Sequence, residues 1–222
     1  MSLNLSKPIL YLITRGATTE QTTPHDPEFN QILKQTSAAV AAGIDLIQIR
    51  EKKLTARVLF ELVSRAVQIT KGTGTRLLVN DRADIATGAG ADGVHLTTRS
   101  LGPATIRKAF GKNFLIGAST HSLAEARGAQ DDGADFIVFG PVFETASKLA
   151  YGPAQGLPAL SIIVRELNSF PVLALGGITL ANAAGCLAAG AHGVAGISLF
   201  NETLHFDNLC NAVRGSQRII RS

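Results

Sequence analysis

Charge is scarce in this sequence: Asp, Glu, Lys and Arg make up 17% of its 222 residues, against 45% hydrophobic. A surface with so few charges is largely neutral, so self-association into a homo-oligomer is expected. Lys and Arg outnumber Asp and Glu by only 21 to 17, giving a formal charge of +4. The basic residues are scattered and form no run, which argues against a nucleic-acid partner. Cysteine occurs twice, at Cys186 and Cys210, with no CxxC spacing. That excludes a disulfide framework and suits two reduced core thiols. No apolar run approaches the roughly 18 residues of a spanning helix, and no basic-then-apolar leader opens the chain, so a cytoplasmic protein with no membrane partner is expected. No linker or composition shift divides residues 1–222, which are expected to form one domain. A chain of this length buries roughly 70% of the surface its unfolded form exposes, enough to fold without a metal or disulfide staple.

What is present is a series of short apolar bursts, each followed by a longer segment of helical period. The bursts are Ile9–Thr14, Leu46–Arg50, Arg76–Asn80, Gly93–Leu96, Phe114–Gly117, Phe136–Phe139, Val172–Leu175 and Val194–Ile197. They are continuous in Ile, Leu, Val and Phe, with little polar alternation, as in parallel strands covered on both faces. Strands alternating with helices imply right-handed βαβ units, and this number of them predicts a single (β/α)8 barrel of the TIM type. A degenerate repeat supports that count. Ala42-Gly43-Ile44-Asp45, Gly90-Ala91-Asp92, Gly133-Ala134-Asp135 and Gly190-Ala191-His192 each close a helix and launch a strand. Glycine ends a helix in a left-handed turn. Turns at the barrel floor serve stability, so Asp45, Asp92, Asp135 and His192 are read as structural.

The turns at the other end are longer, polar and rich in Thr, Gly and Arg: Arg15–Pro27, Glu51–Thr55, Asp81–Arg82, Ser119–Ser122 and Pro141–Gly156. In a barrel the loops after the strands carry the chemistry. Gln48, Arg50 and Lys52 lie two residues apart across the end of the second strand, so all three face the cavity. An inward Arg and Lys require an anion, and together they suit phosphate oxygens. The alternative is an internal ion pair with Glu51 or Asp81. Asp81 suits either a Mg²⁺ ion completed by substrate phosphates or a helix N-cap. Asp84, one turn on, reads as a surface carboxylate at a helix start.

Ser119 offers a hydroxyl to an anion or to a helix cap, and His121 a proton shuttle near neutral pH. Thr145, Ser147 and Lys148 place two hydroxyls and a cation on a long loop, suited to a lid or to plain solvation. Leu175-Gly176-Gly177-Ile178-Thr179 and Gly196-Ile197-Ser198, one helix apart, suit a backbone phosphate cup. Two anion sites at one mouth imply two phosphorylated small-molecule substrates, or one long one.

The segments IQIREK, LVNDRADIA, ADGVHL, IGASTHSLAEA, GADFIVFGPVF and ALGGIT occur in this order along nearly the whole chain. In combination they resemble the thiamine phosphate synthase/TenI superfamily. The resemblance implies a transferase of thiamine biosynthesis that joins a pyrimidine methyl pyrophosphate to a thiazole phosphate, releasing pyrophosphate through a pyrimidine-cation mechanism. It implies pyrimidine-pyrophosphate contacts at Gln48, Arg50, Lys52, Asn80, Ser119 and Lys148. It further implies thiazole-phosphate contacts at Thr145, Ser147, Gly177, Ile197 and Ser198, with Mg²⁺ at Asp81. The sequence departs from the synthase pattern where VHLTTRS puts Ser100 in place of a second magnesium aspartate, with Thr97 and Thr98 beside it. Ser147 replaces a threonine, and Glu144 stands where proline is frequent, closer to the TenI branch. Two other functions therefore stay open: a thiazole phosphate tautomerase using His121, and a non-catalytic binder of the same ligands.

Overall fold

The computed structural model describes residues 3–145, 153–201 and 206–220, with 201 and 216–220 by backbone alone. Strands β1 (Ile9–Ile13), β2 (Leu46–Ile49), β3 (Arg76–Asn80), β4 (Gly93–Leu96), β5 (Leu115–Thr120), β6 (Phe136–Phe139), β7 (Val172–Ala174) and β8 (Gly193–Gly196) close into a parallel barrel in sequence order. Helices α1 (Pro27–Ala41), α2 (Ala56–Thr70), α3 (Ala83–Ala89), α4 (Pro103–Phe110), α5 (Leu123–Asp131), α6 (Gly156–Glu166) and α7 (Leu180–Ala188) join successive strands. The short α8 (Ser198–Asn201) and the longer α9 (Phe206–Ile220) follow β8. This is the expected (β/α)8 barrel.

Alternation along the strands produces two apolar layers. Ile9, Tyr11, Ile13, Leu46, Leu78, Leu115, Phe136, Val138, Leu173 and Ala195 fill the barrel interior. Their neighbours Leu10, Leu12, Ile47, Ile49, Leu77 and Val79 pack outward against the helices. Both strand faces are therefore dry, which is why the sequence shows unbroken apolar bursts. Inside, Gly117 makes room for two rings: a Cβ there would lie 2.3 Å from Phe136 Cζ and 2.8 Å from His95 Nδ1.

The floor is built by one device used four times. Gly43, Gly90, Gly133 and Gly190 each adopt φ between +72° and +96° after a helix. The residue that launches the next strand then turns its side chain back onto the preceding one. Asp45 accepts a hydrogen bond from Leu10 N at 2.9 Å, Asp92 from Leu77 N at 2.8 Å and Asp135 from Ile116 N at 2.7 Å. His192 Nδ1 accepts from Val172 N at 3.2 Å. The three carboxylates also hold cations: Lys7 and Arg214 on Asp45, Arg76 on Asp92, Arg107 on Asp135. Among the described residues no ion pair involves His192, which burial keeps towards its neutral form. The structural reading of these four positions is the one the coordinates support.

Most strand limits fall within about a residue of the apolar bursts, the ordinary spread at element ends. β5 differs. It continues through Ser119 and Thr120, which pair with Val138 and Phe139 of β6, so these two belong to the strand and not to the loop after it. Their hydroxyls end the apolar run without ending the ladder. Cys186 and Cys210 are free and buried. Burial pushes the Cys186 thiol up to about 11, which suits an inert core residue. Among the described residues no helix is long and apolar enough to cross a membrane.

Candidate active site

A cavity of about 380 Å³ opens at the C-terminal ends of the strands. Its walls include Gln48, Arg50, Lys52, Asn80, Ser119, His121, Thr145, Gly177, Ile197 and Ser198, all singled out from the sequence. Arg15, His95, Thr97, Thr98 and Arg99 line it as well. The chain thus delivers residues from all eight strand ends or the loops that follow them to one opening. Among the described lining residues are four cations, Arg15, Arg50, Lys52 and Arg99, and no carboxylate. Such a concave, cationic mouth focuses potential on an anion.

The end of β2 shows how the local sequence sets these groups. Gln48 is buried and donates from Nε2 to the Tyr11 hydroxyl at 2.8 Å. Burial pushes that phenol far above its ordinary value, so it stays protonated. Glu51 points the other way and anchors the β1–α1 loop. Its carboxylate accepts from Thr14 Oγ1 at 2.7 Å, Gly16 N at 3.0 Å, Thr18 N at 3.2 Å and Thr18 Oγ1 at 2.7 Å. Thr14 Oγ1 in turn accepts from Arg50 N at 2.8 Å. Glu51 is therefore satisfied by the loop and forms no ion pair with Arg50 or Lys52, and neither does Asp81, so the internal-ion-pair alternative is not what the structure contains. Lys52 is lowered from its ordinary value by loss of water, then by the Arg50 charge, with Asp81 opposing and Arg99 adding to the effect.

On β4 and β5, His95 Nε2 and Ser119 Oγ are hydrogen-bonded at 2.9 Å, and the His95 ring lies 5.7 Å from that of Tyr11. The sequence motifs do not single out His95, although its inward position in Val94-His95-Leu96 is a usable signal. Ser119 does not cap α5; Ser122 does, accepting from Glu125 N at 3.2 Å. Glu125 reaches back to His121 N at 2.7 Å and so fixes the backbone there. The His121 ring bonds through Nδ1 to the Gly140 carbonyl. A carbonyl only accepts, so Nδ1 is the donor in this bond, which orients the ring.

The β6–α6 loop is tied to the end of β7: Val142 N donates to Leu175 O at 2.8 Å and Phe143 N to Gly176 O at 3.0 Å. Gly177 sits at φ +63°, and a Cβ there would lie 2.5 Å from Glu144 O. The glycine is required by this close approach of the loop. Ser147 and Lys148 lie outside the described residues, and so does the centre of the expected lid.

Asp81 sits at the rim, exposed, at φ +64°. It is not the N-cap of α3; that position is Arg82, which makes no capping bond and pairs with Asp84 at 2.5 Å. Asp84 is exposed in the first turn of α3, as expected, and Arg82 lowers its carboxyl. Asp81 accepts instead from the Ser100 hydroxyl.

The family model described as thiamine monophosphate synthase matches residues 10–200. The chain belongs to the thiamine monophosphate synthase family. A putative thiamine-phosphate synthase of Geobacter sulfurreducens is 46% identical over 85% of this chain and 84% of its own length. A thiamine-phosphate synthase of Methanoculleus marisnigri is 47% identical over 72% of this chain and 75% of its own length. The solved structure of thiamine phosphate pyrophosphorylase from Pyrococcus furiosus superposes with a TM-score of 0.79 at 30% identity, covering 98% of this chain and 99% of that one. Within this synthase family's fold, the donor set for a divalent cation is one carboxylate, Asp81, with the Ser100 hydroxyl against it. Among the described residues no group of three or more His, Cys, Asp or Glu gathers. One carboxylate fits Mg²⁺ only as a site completed by water and substrate phosphates, which is a usual mode for that ion.

Proposed function

We propose that this chain is a thiamine phosphate synthase. It joins 4-amino-2-methyl-5-hydroxymethylpyrimidine pyrophosphate to 4-methyl-5-(2-hydroxyethyl)thiazole phosphate, or its carboxylated form. The observation that carries the proposal is the lining at the strand ends of a barrel in this family, which among the described residues holds four cations and no carboxylate. Two phosphorylated ligands need such a mouth, and a tautomerase, which handles no pyrophosphate, does not.

In the reaction the bond from the pyrimidine methylene carbon to the pyrophosphate oxygen breaks, and its electron pair leaves with pyrophosphate. The thiazole nitrogen then gives its lone pair to the resulting pyrimidine methyl cation. Arg50 and Lys52, with Lys148 from outside the described residues, stabilise charge growing on the leaving group. Gln48, Asn80 and Ser119 hold the pyrimidine pyrophosphate. Thr145, Gly177, Ile197 and Ser198, with Ser147, hold the thiazole phosphate. Fixing the two partners in line supplies much of the remaining barrier reduction, and no side-chain nucleophile is needed. A Mg²⁺ ion held by Asp81, substrate phosphates and water would neutralise further charge on the pyrophosphate.

Purified protein given both substrates and Mg²⁺ should form thiamine phosphate. No product under conditions where an authentic synthase turns over would contradict the proposal, and ligand-induced thermal stabilisation without turnover would mark a non-catalytic binder. One observation favours a second activity, isomerisation of the thiazole phosphate: His121 lines the cavity, its ring oriented by the hydrogen bond from Nδ1 to the Gly140 carbonyl. If that activity is present, His121→Gln loses isomerisation while the fold survives. Unchanged isomerisation in this variant rules out His121 as the proton carrier.

A further inference from the structure

Arg99 belongs to no motif that the family resemblance carries onto this chain, yet it lines the cavity together with Arg50 and Lys52. Its place is set by the β4–α4 turn. Ser100 Oγ accepts from Thr97 N at 2.7 Å and lies 3.0 Å from Thr97 Oγ1, which closes the turn on itself. Arg99 N donates to Thr97 Oγ1 at 3.4 Å. The same Ser100 hydroxyl donates to Asp81 at the end of β3. The turn is thus fastened to the neighbouring strand end, and the one residue it presents to the cavity with a full positive charge is Arg99. Charge at Arg99 is felt by Lys52, whose ammonium it destabilises along with Arg50, so the three groups share one field. Asp81 is the nearby carboxylate, and its hydrogen bond to Ser100 directs it to the turn.

Three mutually repelling cations around one opening are a standing cost that an anion with several charges relieves. A guanidinium adds a planar fork of donors suited to phosphoryl oxygens. We propose that Arg99 is a further anion-binding residue of this site, forming with Arg50 and Lys52 a clamp that holds a diphosphate group without needing a divalent cation for binding. This rests on the transferase reading above and adds to it: the chain answers the thin donor set around Asp81 with protein charge from the next loop.

Isothermal titration with inorganic pyrophosphate in EDTA tests the clamp, comparing the unmodified chain with Arg99→Gln. Arg99 is exposed, so the variant should fold, and circular dichroism checks that it does. The unmodified chain should bind pyrophosphate without metal, and the variant should bind about 10- to 100-fold more weakly, the value of one charge-assisted hydrogen-bonding group. Failure of the unmodified chain to bind in EDTA, or equal binding by the variant, overturns the clamp. Thiamine phosphate formation assayed on the same preparation keeps the two readings apart. Product without metal-free pyrophosphate binding overturns the clamp alone. Binding through Arg99 without product supports the clamp and overturns the transfer.

Discussion

At Gly177 the backbone lies at φ +63°, and the Glu144 carbonyl comes within 2.5 Å of where a Cβ would stand. An L side chain pays roughly 1–2 kcal/mol for that conformation alone, before any overlap with the loop. Gly177→Ala should therefore lower stability by more than about 2 kcal/mol, with the β6–α6 loop displaced from the end of β7. Urea unfolding reads the loss, and an unchanged midpoint would show that the approach of the loop is not as tight as described. The same residue marks a limit of reading the sequence. Two glycines after an apolar burst announce a backbone feature, but the motif suggests an anion and the coordinates add a carbonyl from another loop. Period two carried across the end of β2 brought out Gln48, Arg50 and Lys52; β2 ends at Ile49, and the loop after it keeps Arg50 and Lys52 on the cavity side. Arg99 and Arg15 carry no such periodic signal; only the closed ring of loops brings them to the same mouth.

Among the elements, the floor turns were the most legible, because each combines a helix-ending glycine with an acceptor at the strand start. What the repeat could not convey is the partner, an N–H of the preceding strand 15 to 35 positions earlier. His192 occupies the fourth of these places, and its neutral Nδ1 must accept from Val172 N. Burial lowers its folded-state pKa below the ordinary 6.5. The unfolded chain therefore binds the proton more readily, so the contribution of His192 is complete above pH 6.5 and is lost as pH falls through the lowered folded value. His192→Asn supplies an acceptor that does not titrate. The stability gap between unmodified chain and variant should narrow from pH 8 to pH 5 in denaturant titrations. A gap independent of pH would mean that His192 is not held neutral by the fold. β5 was read short for a related reason: Ser119 and Thr120 end the apolar run, while the ladder to β6 that includes them depends on a strand formed later in the sequence.

For the whole molecule, alternation of apolar bursts and helical segments was sufficient to anticipate a closed barrel, since parallel strands need both faces covered and this number of βα units closes. Closure then does what no single segment can. It sets the ends of β1 to β8 around one cavity and so turns scattered Arg and Lys residues into a site of one sign. The division of labour within that site was less legible. His95, bonded to Ser119 on the adjacent strand, is a barrel-interior contact that exists only once β4 and β5 pair. Arg50 is the residue on which the proposed chemistry leans most, being fixed through Thr14 and Glu51 on one side and open to the cavity on the other.

The most direct measurement is therefore the simultaneous yield of pyrophosphate and thiamine phosphate from both substrates, for the unmodified chain and for Arg50→Gln. One pyrophosphate should appear per thiamine phosphate, and the variant should lose roughly 10²- to 10³-fold in turnover, as when a charge-stabilising donor is removed. Pyrophosphate released without thiamine phosphate, or an Arg50→Gln variant as fast as its parent, would contradict the transfer mechanism proposed for this cavity.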